Sequence, residues 1–351
     1  MIAETAEILP PSIYGQDRPA LAALLAPLGA PRFAAEQVYR WMYQRGVHDP
    51  AAWTDLSRGL REQLAARFRV DPGAIDAVDA AADGTRKFRI RLPGGGAVES
   101  VHMVDRERIT LCLSSQVGCA LDCDFCLTAK MGFLRHLTPG EIVGQVALLR
   151  AVTDCADRPV NLVLMGMGEP LHNYDGVLAA LRILTDPSGF AISRKRITLS
   201  TAGLVPGIER LAGEPLRPRL AVSLNATTDA LRDRLMPINR RYPIARLLEA
   251  VRLYARSTDA RCTLEYVLLH GVNDSDEDVA RLARLVQTVP ARLNLIPFNP
   301  VPGRLPYLAP PRERVLAIRD RLLRERVRVS VRFSHGAEAR AACGQLAILK
   351  Q

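Results

Sequence analysis

Gly118-Cys119-Ala120-Leu121-Asp122-Cys123-Asp124-Phe125-Cys126 places three cysteines within eight residues, spaced Cys-x3-Cys-x2-Cys. Thiolates are the ligands soft iron prefers, and a cubane of four irons with three protein ligands keeps one iron open to a further molecule. A structural zinc site wants a fourth Cys or His nearby; the next candidate, His136, stands ten residues past Cys126 in a different local setting. The alternative is three small buried hydrophobes, the usual state of free cysteine. The flanking Gly and Asp residues of a loop argue against it. An iron cluster on Cys119, Cys123 and Cys126 is therefore the expectation.

The other four cysteines lie outside this run. Cys112 is seven residues upstream on a strand-like stretch, and Cys343 lies near the C-terminus in Ala342-Cys343-Gly344-Gln345-Leu346. Cys155 and Cys262 have no partner motif and read as core. A chain of 351 residues without a signal peptide or a long apolar span reads as a cytoplasmic, reducing-compartment protein, in which cysteines bind metal or catalyse.

With 48% apolar residues the chain can bury a large core, as one large domain plus a smaller one. A net charge of +10 and a pI near 9.6 favour a polyanionic partner, because clustered Lys and Arg gain affinity by releasing phosphate counterions. Between Arg304 and Arg340 ten arginines face four acids. Arg-rich helices are also commonly solvated faces, and a GC-rich genome inflates Arg and Ala, so charge alone leaves both readings open.

Residues 1–85 read as a small basic helical module, with apolar residues at three and four spacing near 21–25, 34–44 and 60–68. It carries no catalytic constellation, so substrate docking is its expected role and a structural cap the alternative. Residues 86–108 read as a β-hairpin turning at Gly94-Gly95-Gly96, and it carries Glu99. From 109 to 351 the rhythm changes. Apolar runs of parallel-strand type recur at 109–113, 160–164, 196–199, 219–224, 262–269 and 293–296, each followed by a helical stretch, with a closing strand around 327–333. Thr138-Pro139-Gly140-Glu141 has the form of a capping box with Pro at the first helical position. The expected fold is α/β, a parallel (β/α)6-type partial barrel behind an N-terminal helical domain and a hairpin extension.

Polar groups fall at the carboxyl ends of these runs, where barrels build their sites. Gly166-Met167-Gly168-Glu169-Pro170 follows the second run, Ser200-Thr201 ends the third, Ser223-Leu224-Asn225 ends the fourth, and Asn299 follows the sixth. The Cys loop follows the first and opens on the same mouth. Singly these are turns and caps; together they converge on one site.

Four stretches resemble one known family: Thr110 to Cys119, Met165 to Pro170, Asn294 to Pro300 and Ala341 to Leu346. In order, and over about residues 30–346, they are similar to the RlmN/Cfr family of radical S-adenosylmethionine (SAM) RNA adenosine methyltransferases. The resemblance implies a radical-SAM barrel holding one 4Fe-4S cluster on Cys119, Cys123 and Cys126, with SAM on the open iron and two SAM used per turnover. It implies SAM contacts at Gly168, Glu169, Ser200, Ser223, Leu224, Asn225 and Asn299. An adenine carbon between two ring nitrogens is too electron-poor to accept an electrophilic methyl, so the family works through radicals. Cys343 first takes a methyl from one SAM. A second SAM is split to a 5′-deoxyadenosyl radical that abstracts hydrogen from that methyl, and the carbon radical adds to adenine. Glu99 removes the ring proton, and Cys112 attacks the Cys343 sulfur, releasing RNA and leaving a Cys112 to Cys343 disulfide.

The same resemblance implies 23S rRNA and tRNA as substrates, methylated at carbon 2, with carbon 8 as the other branch of the family. It implies a low-potential electron donor such as flavodoxin, a monomer, and no membrane. The chain departs from the family pattern at Asn225, where His is usual, and at His335-Gly336-Ala337-Glu338, where Arg-Gly-Asp-Asp is usual. Two rivals remain. A methylthiotransferase would bring a second cluster, for which no further cysteine group exists, and an activase leaves Cys343 idle. An RNA-binding protein that has lost methyl transfer is the non-enzymatic rival, against which Cys112 and Cys343 both weigh.

Overall fold

The computed structural model describes residues 10–348 except 154, 156, 157, 259, 302, 334, 335, 337 and 338. Three of the four residues of the altered run at 335–338 lie outside that set.

The N-terminal helices are α1 (Arg18–Leu25), α2 (Ala34–Tyr39) and α3 (Arg58–Arg67). Asp17 caps α1 by accepting the Ala20 N–H at 3.0 Å, and Ser57 caps α3 through the Leu60 N–H at 3.4 Å. Leu21, Leu25, Val38, Met42, Trp53 and Leu64 form the buried seam between them, each fully buried side chain contributing about 1.5–3 kcal/mol. Arg18 ties the module to the barrel through Asp186 at 2.9 Å.

Four antiparallel strands follow: β1 (Ala74–Ala80), β2 (Arg86–Arg91), β3 (Ala97–Asp105) and β4 (Arg108–Cys112). β2 and β3 are the expected hairpin, closed by the Gly95 N–H on the Leu92 carbonyl at 3.0 Å. β1 corrects the helical reading of residues 1–85. Ile75 and Val78 are spaced as on a helix, yet the segment pairs with β2 as an edge strand, its Asp76 and Asp79 reaching Arg89 at 2.7 Å and Lys87 at 3.3 Å.

The Cys loop lies between β5 (Gln116–Gly118) and β6 (Phe133–His136), which pair as a separate ribbon, and carries the short helix α4 (Leu127–Lys130). Helix α5 (Pro139–Val152) starts with the expected capping box, both of whose hydrogen bonds are formed. The βα units continue through β7 (Val160–Leu164), α6 (Tyr174–Thr185), β8 (Ile197–Thr201), α7 (Val205–Ala212), β9 (Arg219–Ser223), α8 (Asp229–Leu235) and α9 (Ile244–Thr258). They end with β10 (Cys262–Leu268), α10 (Asp276–Gln287), β11 (Ala291–Pro297), α11 (Arg312–Arg324) and β12 (Val329–Val331).

One ten-stranded sheet runs in the order β1-β2-β3-β4-β7-β8-β9-β10-β11-β12, parallel from β4 onward. Among the described residues its two edges do not pair, so the parallel part is a partial barrel. Its strands are apolar runs because helices cover one face and the barrel interior the other. Leu162, Leu199, Leu220, Leu264 and Leu293 are all buried. Among the described residues no helix is long and apolar enough to cross a membrane.

Candidate active site

The base of the Cys loop is fixed by Gly118, whose φ of +75° suits glycine and whose missing side chain admits the Gly132 carbonyl. The Cys119 N–H donates to that same carbonyl at 2.9 Å. Farther along, the Leu127 N–H donates to the Gly344 carbonyl at 2.9 Å and Thr128 Oγ1 to the Leu346 carbonyl at 2.6 Å. The loop is thereby joined to the segment that carries Cys343.

Cys119, Cys123 and Cys126 line one cleft together with Gly168, Glu169, Ser200, Ser223, Asn225, Asn299 and Cys343. Its empty space is about 920 Å³, open mouth included. Burial pushes the Cys119 thiol up to about 12 and Cys123 well above its usual range, and each is raised further by the charge of Cys126. Thiols that oppose one another's ionisation are a donor set completed by a cation. Among the described residues no three His, Cys, Asp or Glu gather as one metal ion would require. A cluster, whose thiolates bind different irons, fits this wider set. His136 takes no part: its Nδ1 lies 3.0 Å from Gln116 Nε2.

The strand ends supply the rest of the wall. Gly168, at φ +100°, lets the chain pass Gln116, whose Oε1 accepts the Glu169 N–H at 2.7 Å. The buried Glu169 carboxylate accepts the N–H groups of Leu171 at 3.0 Å and Ala202 at 2.8 Å, and burial still lifts it to about 7. Asn225 has φ +54°, a left-handed conformation that Asn tolerates, and its Oδ1 accepts the Val267 N–H at 2.8 Å. That local demand accounts for Asn at this position. Leu224 is the one expected contact off the cleft wall: its side chain is fully buried, its N–H bonds the Glu265 carbonyl, and its carbonyl accepts from Arg232.

Arg232 escaped the sequence reading. Fully buried, it donates to the carbonyls of Leu224 at 3.0 Å, Ser223 at 2.9 Å and Ala202 at 2.7 Å, and to Asn239 Oδ1 at 3.0 Å. It pins the ends of β8 and β9 at the cleft. Burial draws its guanidinium down to about 10, opposed most strongly by the charge of Cys123. Gln116, holding both Glu169 and the loop ribbon, was likewise missed. Only an unusual density of polar side chains near the Cys run signalled it.

Cys343 has two faces. Beside the cleft it also lines a smaller cavity with Cys112, Met103, Met165, Ile296 and Arg332. Both cysteines are free thiols. Burial pushes Cys112 up to about 12, with the neighbouring Cys343 adding to the rise. Burial raises Cys343 as well, against the opposing charge of Arg332. Asn299 Nδ2 reaches the Cys343 carbonyl at 3.4 Å. Glu99 lines neither cavity. Its carboxylate is buried against Lys87 Nζ at 2.9 Å and accepts the Ala347 N–H at 2.9 Å, four residues past Cys343. Cys155 and Cys262 are buried, as expected of core residues.

Known proteins resemble this chain in sequence and fold. The family model for the radical SAM superfamily matches residues 113–283, and that for the ribosomal RNA large subunit methyltransferase N-terminal domain matches residues 12–70. The dual-specificity RNA methyltransferase RlmN of Geotalea uraniireducens is 46% identical over 327 residues, 93% of each chain. The chain belongs to the RlmN family. The RlmN of Anaeromyxobacter sp. is 49% identical over 333 residues, 93% of this chain and 88% of that protein. A radical SAM methyltransferase from Sphaerobacter thermophilus superposes with a TM-score of 0.91 at 43% identity, over 96% of this chain and 99% of that one. As a member of the RlmN family the chain is a SAM-dependent RNA methyltransferase that binds a 4Fe-4S cluster and SAM.

Proposed function

We propose that the chain methylates carbon 2 of an unpaired adenosine in 23S rRNA, and of a tRNA adenosine, through a methyl group carried on Cys343. The observation that carries this reading is the position of Cys343 on the wall common to the three-cysteine cleft and the Cys112 cavity. When bound, the cluster and SAM supply the methyl group and one-electron chemistry. Cys119, Cys123 and Cys126 hold the cluster, and Gly168, Glu169, Ser200, Ser223, Asn225 and Asn299 orient SAM, with Leu224 acting only through the strand end it anchors. Cys343 accepts the methyl as thiolate, and the Arg332 charge favours that form. Glu99 is assigned the ring proton by its motif position; its carboxylate stands outside both cavities, held by Lys87 and by the Ala347 N–H of the segment that carries Cys343, so it acts through that segment's displacement. Cys112 attacks the Cys343 sulfur to release the product, leaving a disulfide for a reductant to reopen.

The helices before β1 dock RNA, flavodoxin or a similar donor supplies electrons, and the chain works as a cytoplasmic monomer. Nucleoside mass spectrometry on unmodified 23S rRNA and tRNA, incubated with anaerobically reconstituted protein, reductant and methyl-deuterated SAM, tests this. Labelled 2-methyladenosine supports it. Labelled 8-methyladenosine assigns the other carbon, and no labelled nucleoside removes the proposed transfer.

A further inference from the structure

Side chains two residues apart on a strand share a face. The face that presents Cys112, Met165, Ser200 and Ser223 at the carboxyl ends therefore presents Thr110, Asn161, Thr198 and Arg219 toward the amino ends, and these four line a second, larger cavity of about 1690 Å³, open mouth included. Four arginines stand in it, Arg108, Arg196, Arg219 and Arg332, against one carboxylate, Asp105. None of the four makes a salt bridge among the described residues. Three arginines of α11 differ: Arg314 and Arg321 reach Asp276 at 3.0 and 3.5 Å, and Arg319 reaches Asp320 at 2.7 Å.

The small Cys112 cavity lies between the two spaces and has wall residues in common with each. It shares Cys343, Met165 and Ile296 with the cleft, and Met103 and Arg332 with the arginine cavity. Arg332 stands at that junction, 3.7 Å from Met165 Sδ and 3.9 Å from Met103 Sδ. The cleft itself belongs to the cluster and SAM, and Cys112 is absent from its wall. A base that must meet both sulfurs is left with the approach from the arginine side.

We propose that the arginine-lined cavity at the amino ends of the parallel strands receives the phosphodiester backbone of a single RNA strand and passes an unpaired adenosine inward, past Arg332, to Cys343 and Cys112. This rests on the functional reading above. Phosphate contacts by exposed arginines position a strand without reading its sequence, and a base displaced from its stack is what an enzyme acting on a ring carbon needs.

The test is the double variant Arg196→Glu/Arg219→Glu, both side chains being exposed. Its melting temperature and iron content establish that it folds and loads. Binding of an unmodified 23S rRNA fragment is followed across a salt series, beside methyl transfer and RNA-free SAM cleavage. Losing two phosphate contacts lowers the salt slope by about 1.4 for single-stranded RNA and raises Kd and KM by at least about tenfold, with SAM cleavage unchanged. Arg256→Glu/Arg284→Glu makes the same charge change on the exposed faces of α9 and α10 and keeps the wild-type slope. A wild-type slope and KM in the inner variant, or an equal loss in the outer one, overturns the proposal. Wild-type protein that neither binds nor methylates RNA overturns the functional reading instead.

Discussion

Lys87 Nζ lies 2.9 Å from Glu99 Oε1, with both side chains less than a tenth exposed. Burial raises the Glu99 carboxyl and Lys87 opposes that rise. Lys87→Met therefore moves the Glu99 titration to higher pH. With Glu99 as the base, the acid limb of methyl transfer moves the same way, and the unpaired buried carboxylate costs about 3 kcal/mol of stability. Glu99→Gln keeps a hydrogen-bond acceptor for Ala347 yet slows transfer by about 10²–10⁴. pH–rate profiles and urea denaturation read both effects. A Lys87→Met profile that coincides with wild type removes Glu99 from the reaction.

Cys343 and Cys112 differ in what each loss leaves behind. Cys343→Ala abolishes transfer while cluster content and SAM cleavage persist. Cys112→Ala lets the methyl carbon join adenine but blocks release, so the protein accumulates as a covalent RNA adduct visible on denaturing gels. Normal turnover of Cys112→Ala without adduct rules out resolution by disulfide.

Arg232→Met leaves three strand-end carbonyls and Asn239 without their donor and lowers stability by about 3 kcal/mol. Arg232→Lys recovers little, because an ammonium cannot span the fork a guanidinium spans. Removing a positive charge beside Cys123 also disfavours the extra electron, so the cluster potential becomes more negative in an EPR-monitored titration. A potential equal to wild type confines Arg232 to a scaffolding role.

Glu141 is buried beneath the capping box, accepting from Arg135 at 2.7 Å, from the Thr138 N–H at 2.9 Å and from the Gly94 N–H at 3.0 Å. Burial raises this carboxyl, but those donors outweigh it and hold it below its usual 4.5. Its stabilisation is therefore complete above the unfolded value and disappears as pH falls through the lower folded one. Glu141→Gln costs about 2 kcal/mol at neutral pH and narrows its gap to wild type in acid. Thermal melts from about pH 7 down to about pH 3 follow the convergence.

The parallel strands were readable because their centres, Leu220–Val222 for one, are covered on both faces and stay apolar. The Cys loop was readable from chemistry alone, since three thiols so close together have few other uses. β1 was hidden: one turn of helix and alternate positions of an edge strand both accommodate Ala74–Ala80, and only its pairing with β2 decides. Arg232 and Gln116 were hidden for a different reason. Their meaning lies in which distant carbonyls and side chains the fold brings to them, and no local spacing encodes that. Glu99 shows the converse, a residue singled out by motif whose carboxylate the fold turns toward the C-terminal segment.

Leu127 and Thr128, directly after Cys126, hold the carbonyls of Gly344 and Leu346 on either side of Gln345. The turn that presents the three thiols and the turn that presents Cys343 are thus one backbone unit, so a substitution that loosens either segment displaces both.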